Sequence, residues 1–184
     1  MTALSRQRAA LLVVDIQEKL APAMPAHVLE QVLRNTLILI DAAQRMGLPV
    51  VVSQQYPKGL GPTVSALEAV LPPTAYRFDK VEFSASSGLP PQLIGATTGR
   101  DQWIIAGMET HICVYQTARG LVDRGLEAYV VVDAACSRTK LNWRIGCDLI
   151  AKAGATVTST ETVVFDLLGC AGTEDFKALS RAIK

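Results

Sequence analysis

Residues 9–14 read Ala-Ala-Leu-Leu-Val-Val, six apolar side chains in succession, and the run stops at a carboxylate, Asp15. A strand with one face in water alternates apolar and polar residues. A short run with no polar position fits a strand buried on both faces, as in a parallel sheet covered by helices. Pro49-Val-Val-Val-Ser53, Gln102 to Gly107, Glu127 to Asp133 and Ala155 to Thr158 read as further strands. Between them lie stretches with helical spacing. His27 to Met46 carries Val28, Val32, Leu39, Ala42, Ala43 and Met46 and stops at Gly47, Thr110 to Arg124 stops at Gly125, and Lys140 to Ala153 stops at Gly154. Thr160 to Leu168 reads as a peripheral turn or helix, and Thr173 to Ile183 as a final helix. Strands alternating with helices at these lengths build α/β units on a parallel sheet.

The segment between the second strand and Gln102 is less regular. Tyr76 to Lys80 reads as extended, Gln54 to Pro62 as an irregular loop, and Thr63 as the cap of a short helix through Leu71. Phe83 to Gly88 reads as a loop, and Pro90 to Gly95 as a short helix opened by proline. A chain of 184 residues is expected to form one domain over residues 1–184, and with 49% hydrophobic residues it can bury a core without disulfide support.

Eighteen Lys and Arg against seventeen Asp and Glu leave a net charge of +1, with no long run of one sign. That gives no electrostatic footprint for nucleic acid or an anionic membrane. No apolar run approaches the roughly 20 residues that span a bilayer. The N-terminal residues lead directly into the first strand and leave no room for a signal peptide, so the expected location is the cytoplasm. Cys113, Cys136, Cys147 and Cys170 show neither Cys-x-x-Cys pairing nor zinc-type spacing, and the last three read as ordinary structural thiols.

In an open parallel sheet, ligands bind beyond the carboxyl ends of the strands. Asp15 ends the first strand, Lys80 ends the third extended segment, and Cys113 falls in the first turn of the helix after the Trp103 to Ala106 strand. These residue types suit nucleophilic acyl transfer. A helix N-terminus and a nearby lysine are expected to lower a thiol's pKa below its usual value of about 8.5. A carboxylate can take the thiol proton and return it to a leaving amine.

Three stretches, Leu-Leu-Val-Val-Asp15-Ile-Gln17, Phe78-Asp-Lys80-Val-Glu-Phe-Ser-Ala85 and Ala106-Gly-Met-Glu-Thr-His-Ile-Cys113-Val, resemble the motif blocks of the isochorismatase-like cysteine hydrolases, a superfamily that includes nicotinamidases. The resemblance runs in order from about residue 9 to residue 170. It implies Cys113 as nucleophile, Asp15 as general base and acid, and Lys80 as the cation that stabilises thiolate and carboxylate. It also implies a cis peptide between Met108 and Glu109, with the backbone amides of Glu109 and Cys113 forming an oxyanion hole. The expected architecture is a parallel sheet of about six strands with helices on both faces, resembling the family's Rossmann-like three-layer α/β/α sandwich. Family members usually form dimers or higher homo-oligomers, and the same is expected here.

Nicotinamidases of this superfamily carry an aspartate and histidines after the second strand to hold a metal. The matching stretch here is Ser53-Gln-Gln-Tyr-Pro-Lys-Gly-Leu-Gly61, so neither metal nor other cofactor is expected. Members that cleave isochorismate typically lack the nucleophilic cysteine, so Cys113 argues against that substrate. What remains resembles the metal-independent branch of the superfamily, whose substrates are mostly unassigned, and the reaction expected here is hydrolysis of a C–N bond of a small amide through a thioester on Cys113. Gln17, Tyr56, Phe83 and Ile112 lie close enough to these motifs to be candidate pocket residues. His111 reads as a packing or hydrogen-bonding residue beneath the site, and His27 as a surface residue. Gly59-Leu-Gly61 lacks the third glycine of a dinucleotide fingerprint. Two rival readings are a catalytically silent ligand- or protein-binding member of the same fold and a thiol redox sensor, the latter requiring a resolving cysteine.

Overall fold

The computed structural model describes residues 2–94 and 99–184. Six strands, β1 (Ala9–Val14), β2 (Val50–Gln55), β3 (Tyr76–Lys80), β4 (Gln102–Met108), β5 (Glu127–Cys136) and β6 (Thr156–Thr158), form one all-parallel sheet in the order β3-β2-β1-β4-β5-β6. The helices are α1 (Ala26–Met46), α2 (Pro57–Leu60), α3 (Ser65–Glu68), α4 (Tyr115–Val122), α5 (Lys140–Lys152), α6 (Thr160–Leu168) and α7 (Glu174–Ile183).

The unbroken apolar runs have the cause inferred from sequence: all of β1 and β4 is buried, because the sheet is covered on both faces. Alternate side chains serve opposite layers. Leu11, Val13, Val52, Ile104 and Val131 pack with α1, α6 and α7, whereas Leu12, Val51, Trp103, Ile105 and Val130 pack with α4 and α5. Each large aliphatic side chain so buried contributes about 1.5–3 kcal/mol relative to exposure. The expected three-layer Rossmann-like architecture is the one present. No described helix is long and apolar enough to cross a membrane.

Helix ends follow local chemistry. Gly47 closes α1 in the left-handed region (φ 68°), while the side chains of Thr139, Ser159 and Thr173 accept hydrogen bonds from Asn142 N, Thr162 N and Phe176 N at the starts of α5, α6 and α7.

Several local expectations need correction. Residues 54–62 are not all loop, since β2 continues through Gln55 alongside β3 and α2 adds one turn. Thr63 does not cap α3. Its amide and hydroxyl both bond Gln54 Oε1, and the helix starts at Ser65 and ends at Glu68. β5 runs to Cys136 because its register against β4 slips between Ile105 and Gly107 and pairing then resumes at Ala135. Residues Pro91–Leu93 form a single 3-10 turn, and Gly95, the end of the expected short helix there, lies outside the described residues. The stretch from Thr110 starts as a π-helical turn, Thr110–Val114, in which Val114 N reaches back to Glu109 O, and α-helix proper begins at Tyr115.

Candidate active site

The chain crosses from one half of the sheet to the other between β1 and β4, and the crevice at such a reversal is where α/β proteins place ligands. Two backbone features shape it. Gly107 (φ 135°) pairs with Val14, and a Cβ there would lie 2.0 Å from the Val14 carbonyl oxygen, so only glycine permits this approach. Asp15, which directly follows β1, has φ 52°, a left-handed conformation that aspartate tolerates better than most residues. The Met108–Glu109 peptide that leaves β4 is cis.

Four adjacent strand ends contribute side chains. Asp15 is fully buried after β1. Its Oδ2 accepts from Lys80 Nζ at 2.7 Å, at the end of β3, and its Oδ1 accepts from Ser53 Oγ at 2.8 Å, on β2. The Cys113 side chain, from the turn after β4, is buried in the same place, where the charges of Asp15 and Lys80 both act on its thiol. The structure thus brings Asp15, Lys80 and Cys113 together, although 65 residues of sequence separate the first pair. Lys80 Nζ further donates to Gln55 Oε1 at 2.7 Å and to the Phe83 carbonyl at 3.0 Å, with the Glu82 carbonyl at 3.3 Å. Every neighbour of the ammonium is therefore an acceptor.

The expected low thiol pKa is reversed. Burial pushes the Cys113 thiol up to about 12, the negative charge of Asp15 pushes the same way, and Lys80 offsets only part of this. Burial likewise raises the Asp15 carboxyl, against the lowering effect of Lys80 and of the hydrogen bonds from Lys80 and Ser53. At neutral pH the Cys113 sulfur therefore rests as a thiol, beside the Asp15–Lys80 pair. Sequence could not reveal this, because the residues that exclude water from Cys113 come from several separate elements.

Glu109 and His111 flank the nucleophile turn. The Glu109 carboxylate is buried and accepts from Arg138 N (3.0 Å) and Arg138 Nε (3.1 Å), and His111 Nδ1 lies 3.0 Å from Ser137 Oγ, consistent with a structural role. Of the four pocket candidates, Gln17 is a brace rather than a wall. It is fully buried, its Oε1 accepts from Gln55 N, and its Nε2 donates to the carbonyls of Gln55 and Gly61. Tyr56 and Phe83 are exposed at the rim, and Ile112 is half-buried against the α4 and α5 layer. Ser53 and Gln55 were not singled out as site residues. Their signal is the polar run Ser53-Gln54-Gln55 at the end of an all-valine strand, in which positions 53 and 55 fall on one face.

Among the described residues no group of three His, Cys, Asp or Glu side chains is placed to hold a metal. An open, mostly apolar groove of about 660 Å³ lies between α1 and the ends of β5 and α5, lined by residues including Val28, Val32, Ala135, Ser137 and Trp143, and touches none of Asp15, Lys80 or Cys113. Cys113 and Cys136 belong to opposite faces of the sheet, and all four cysteines are free thiols.

Comparison with known proteins places this arrangement in context. The isochorismatase domain matches residues 9–162. The secreted isochorismatase effector Isc1 of Phytophthora sojae is 36% identical over 180 residues, covering 95% of this chain and 83% of that protein. Isochorismatase domain-containing protein 1 of Salmo salar is 32% identical over 92% of this chain, which spans 59% of that relative's length. Among solved structures, the MAR1 ribonuclease of Caenorhabditis elegans superposes with a TM-score of 0.89 at 34% identity, covering 99% of this chain and 92% of that one. The Pseudomonas aeruginosa YcaC, solved with hexane-2,5-diol and covalent acrylamide, gives 0.87 at 25% identity over 98% and 91% of the two chains. The Escherichia coli YcaC, an octameric hydrolase of unknown specificity, gives 0.86 at 25% identity over 99% and 91%. With the domain match running from the first residue of β1 into α6, and relatives above 30% identity along nearly the whole chain, this protein belongs to the isochorismatase family of hydrolases.

Proposed function

We propose that the protein is a cysteine hydrolase that cleaves the C–N bond of a small amide through a thioester on Cys113. The observation that carries the reading is the buried Cys113 side chain next to a fully buried Asp15 whose carboxylate is held by Lys80. Because the resting sulfur is a thiol, attack and deprotonation are coupled. As Sγ bonds the substrate carbonyl carbon, its proton passes to Asp15, and the carbonyl π electrons move onto oxygen. The backbone amides of Glu109 and Cys113 are the proposed oxyanion donors, and one such donor is typically worth about 10²–10³ in rate. Collapse breaks the C–N bond, and Asp15 returns its proton to the leaving nitrogen. Water then attacks the thioester and gives a proton to Asp15, the C–S bond breaks, and the proton returns to sulfur as the carboxylic acid departs. Lys80, with acceptors on every side, stabilises charge and transfers no proton.

The covalent acrylamide in one YcaC supports the reading, since acrylamide is an electrophile and marks a nucleophile in that relative. The octameric YcaC supports assembly of this chain into a homo-oligomer. The MAR1 relative is named a ribonuclease, but a net charge of +1 without a basic run favours a small neutral substrate here over RNA. A panel of small aliphatic and aromatic amides, assayed for ammonia release with an RNA substrate alongside, tests the proposal. Ammonia release by the wild type and its loss by at least about a thousandfold in Cys113→Ala are expected. Undiminished turnover in Cys113→Ala, or cleavage of RNA alone, would overturn it.

A further inference from the structure

The Ser53 hydroxyl is an uncharged donor placed on the reacting carboxylate. The residue is fully buried and meets Asp15 twice: its backbone carbonyl accepts from Asp15 N at 3.2 Å, and its hydroxyl donates to Asp15 Oδ1 at 2.8 Å. Register fixes both contacts, since Ser53 pairs with Val14, the residue before Asp15. Among the described residues, the groups facing the carboxylate are Lys80 from β3 on Oδ2, Ser53 from β2 on Oδ1, and Cys113 from the turn after β4. Glu109 is the next nearest charge acting on Cys113, and Gln55 reaches Asp15 only through Lys80.

We infer that Ser53 is a positioning residue for the proposed reaction, fixing the Asp15 carboxylate in the ionised form and in the orientation that receives the Cys113 proton. This rests on the reading of Asp15 as the base. A serine hydroxyl has a single proton, and here it is directed at Oδ1, so the hydrogen bond favours the carboxylate over the carboxylic acid. Burial in the same place favours the acid, and Lys80, Ser53 and Cys113 counter it. The hydroxyl also limits rotation of a side chain whose backbone already sits at a positive φ. Alanine would keep the volume nearly unchanged and remove one donor to a charged group, leaving Lys80 as the main counterweight to burial.

The test uses iodoacetamide and the intact protein, with alkylation of Cys113 followed by peptide mass spectrometry from about pH 4 to pH 9, a window that separates carboxylate-coupled from isolated thiols. Wild-type labelling is expected to climb through an acid limb, as Asp15 ionises, to a plateau. In Ser53→Ala the limb should move up by about one pH unit, so that labelling below the limb falls about tenfold while the plateau stays within about threefold. Ser53→Thr, which keeps the hydroxyl, should restore the limb. A Ser53→Ala limb that coincides with wild type, or a loss equal at every pH, overturns the positioning role while leaving Asp15 as base. A wild-type profile without an acid limb overturns the assignment of Asp15, and this inference with it.

Discussion

Lys80 has three N–H donors, and the structure gives them Asp15, Gln55 and a backbone carbonyl, in a site where both ionic partners are buried. An ion pair of this kind contributes little by itself, yet removing one member leaves a buried, uncompensated charge that costs about 3–5 kcal/mol. Lys80→Met should therefore lower stability at pH 7 by about that amount in urea denaturation, and Lys80→Met with Asp15→Leu should recover much of the loss. A double variant no more stable than the single one would contradict the account. The three residues of this site were legible in the sequence because each has a chemically distinctive type at a strand or helix end. Their protonation was not legible. A thiol at a helix start suggests a low pKa, but here that start is a π-helical turn beneath packed layers, and burial beside Asp15 reverses the shift. The role of Gln17 is not legible for a related reason, since nearness to a motif does not show that its amide braces the backbone at Gln55 and Gly61.

At the scale of elements, what positions Cys113 is the packing of α5 against its turn. Gly146 makes this contact possible, because a Cβ there would lie 2.8–2.9 Å from the backbone of Thr110 and His111. Gly146→Ala gains about 0.8–1.0 kcal/mol in helix propensity but must displace backbone that cannot yield as a side chain could. Net destabilisation of about 1–3 kcal/mol by urea denaturation is expected, together with slower Cys113 alkylation. A variant more stable than wild type with unchanged alkylation would show that α5 does not set the turn. Strands and long helices were readable because two-sided burial and the 3.6-residue period leave plain patterns. The π-turn was hidden because its extra residue does not interrupt the apolar spacing of the helix that follows. α2 and the β5 register slip were hidden because they answer to neighbouring strands rather than to their own sequences.

For the whole molecule, the sheet order could be reached from the resemblance but not from periodicity, which identifies strands without ordering them. The surface carries its own expectation: Leu141 (67% exposed) and Ile145 (42%) lie one turn apart on α5, an apolar edge suited to contact between copies. Light scattering should give a particle mass that is a multiple of the 19.7 kDa chain, and particles of one chain only would contradict the oligomer. Asp15 is proposed as the base for a buried, protonated thiol. The most direct test of this proposal is the pH profile of Cys113 alkylation by iodoacetamide in wild type and Asp15→Asn. The pair shares one proton once the first ionisation is complete, so wild-type reactivity should fall as pH drops through the Asp15 titration and hold a plateau through neutrality. In Asp15→Asn the plateau should vanish, leaving labelling that rises only at alkaline pH, as for an isolated buried thiol. Coincident profiles, or a wild-type rise confined to the region near pH 8.5 as for an ordinary thiol, would contradict the account.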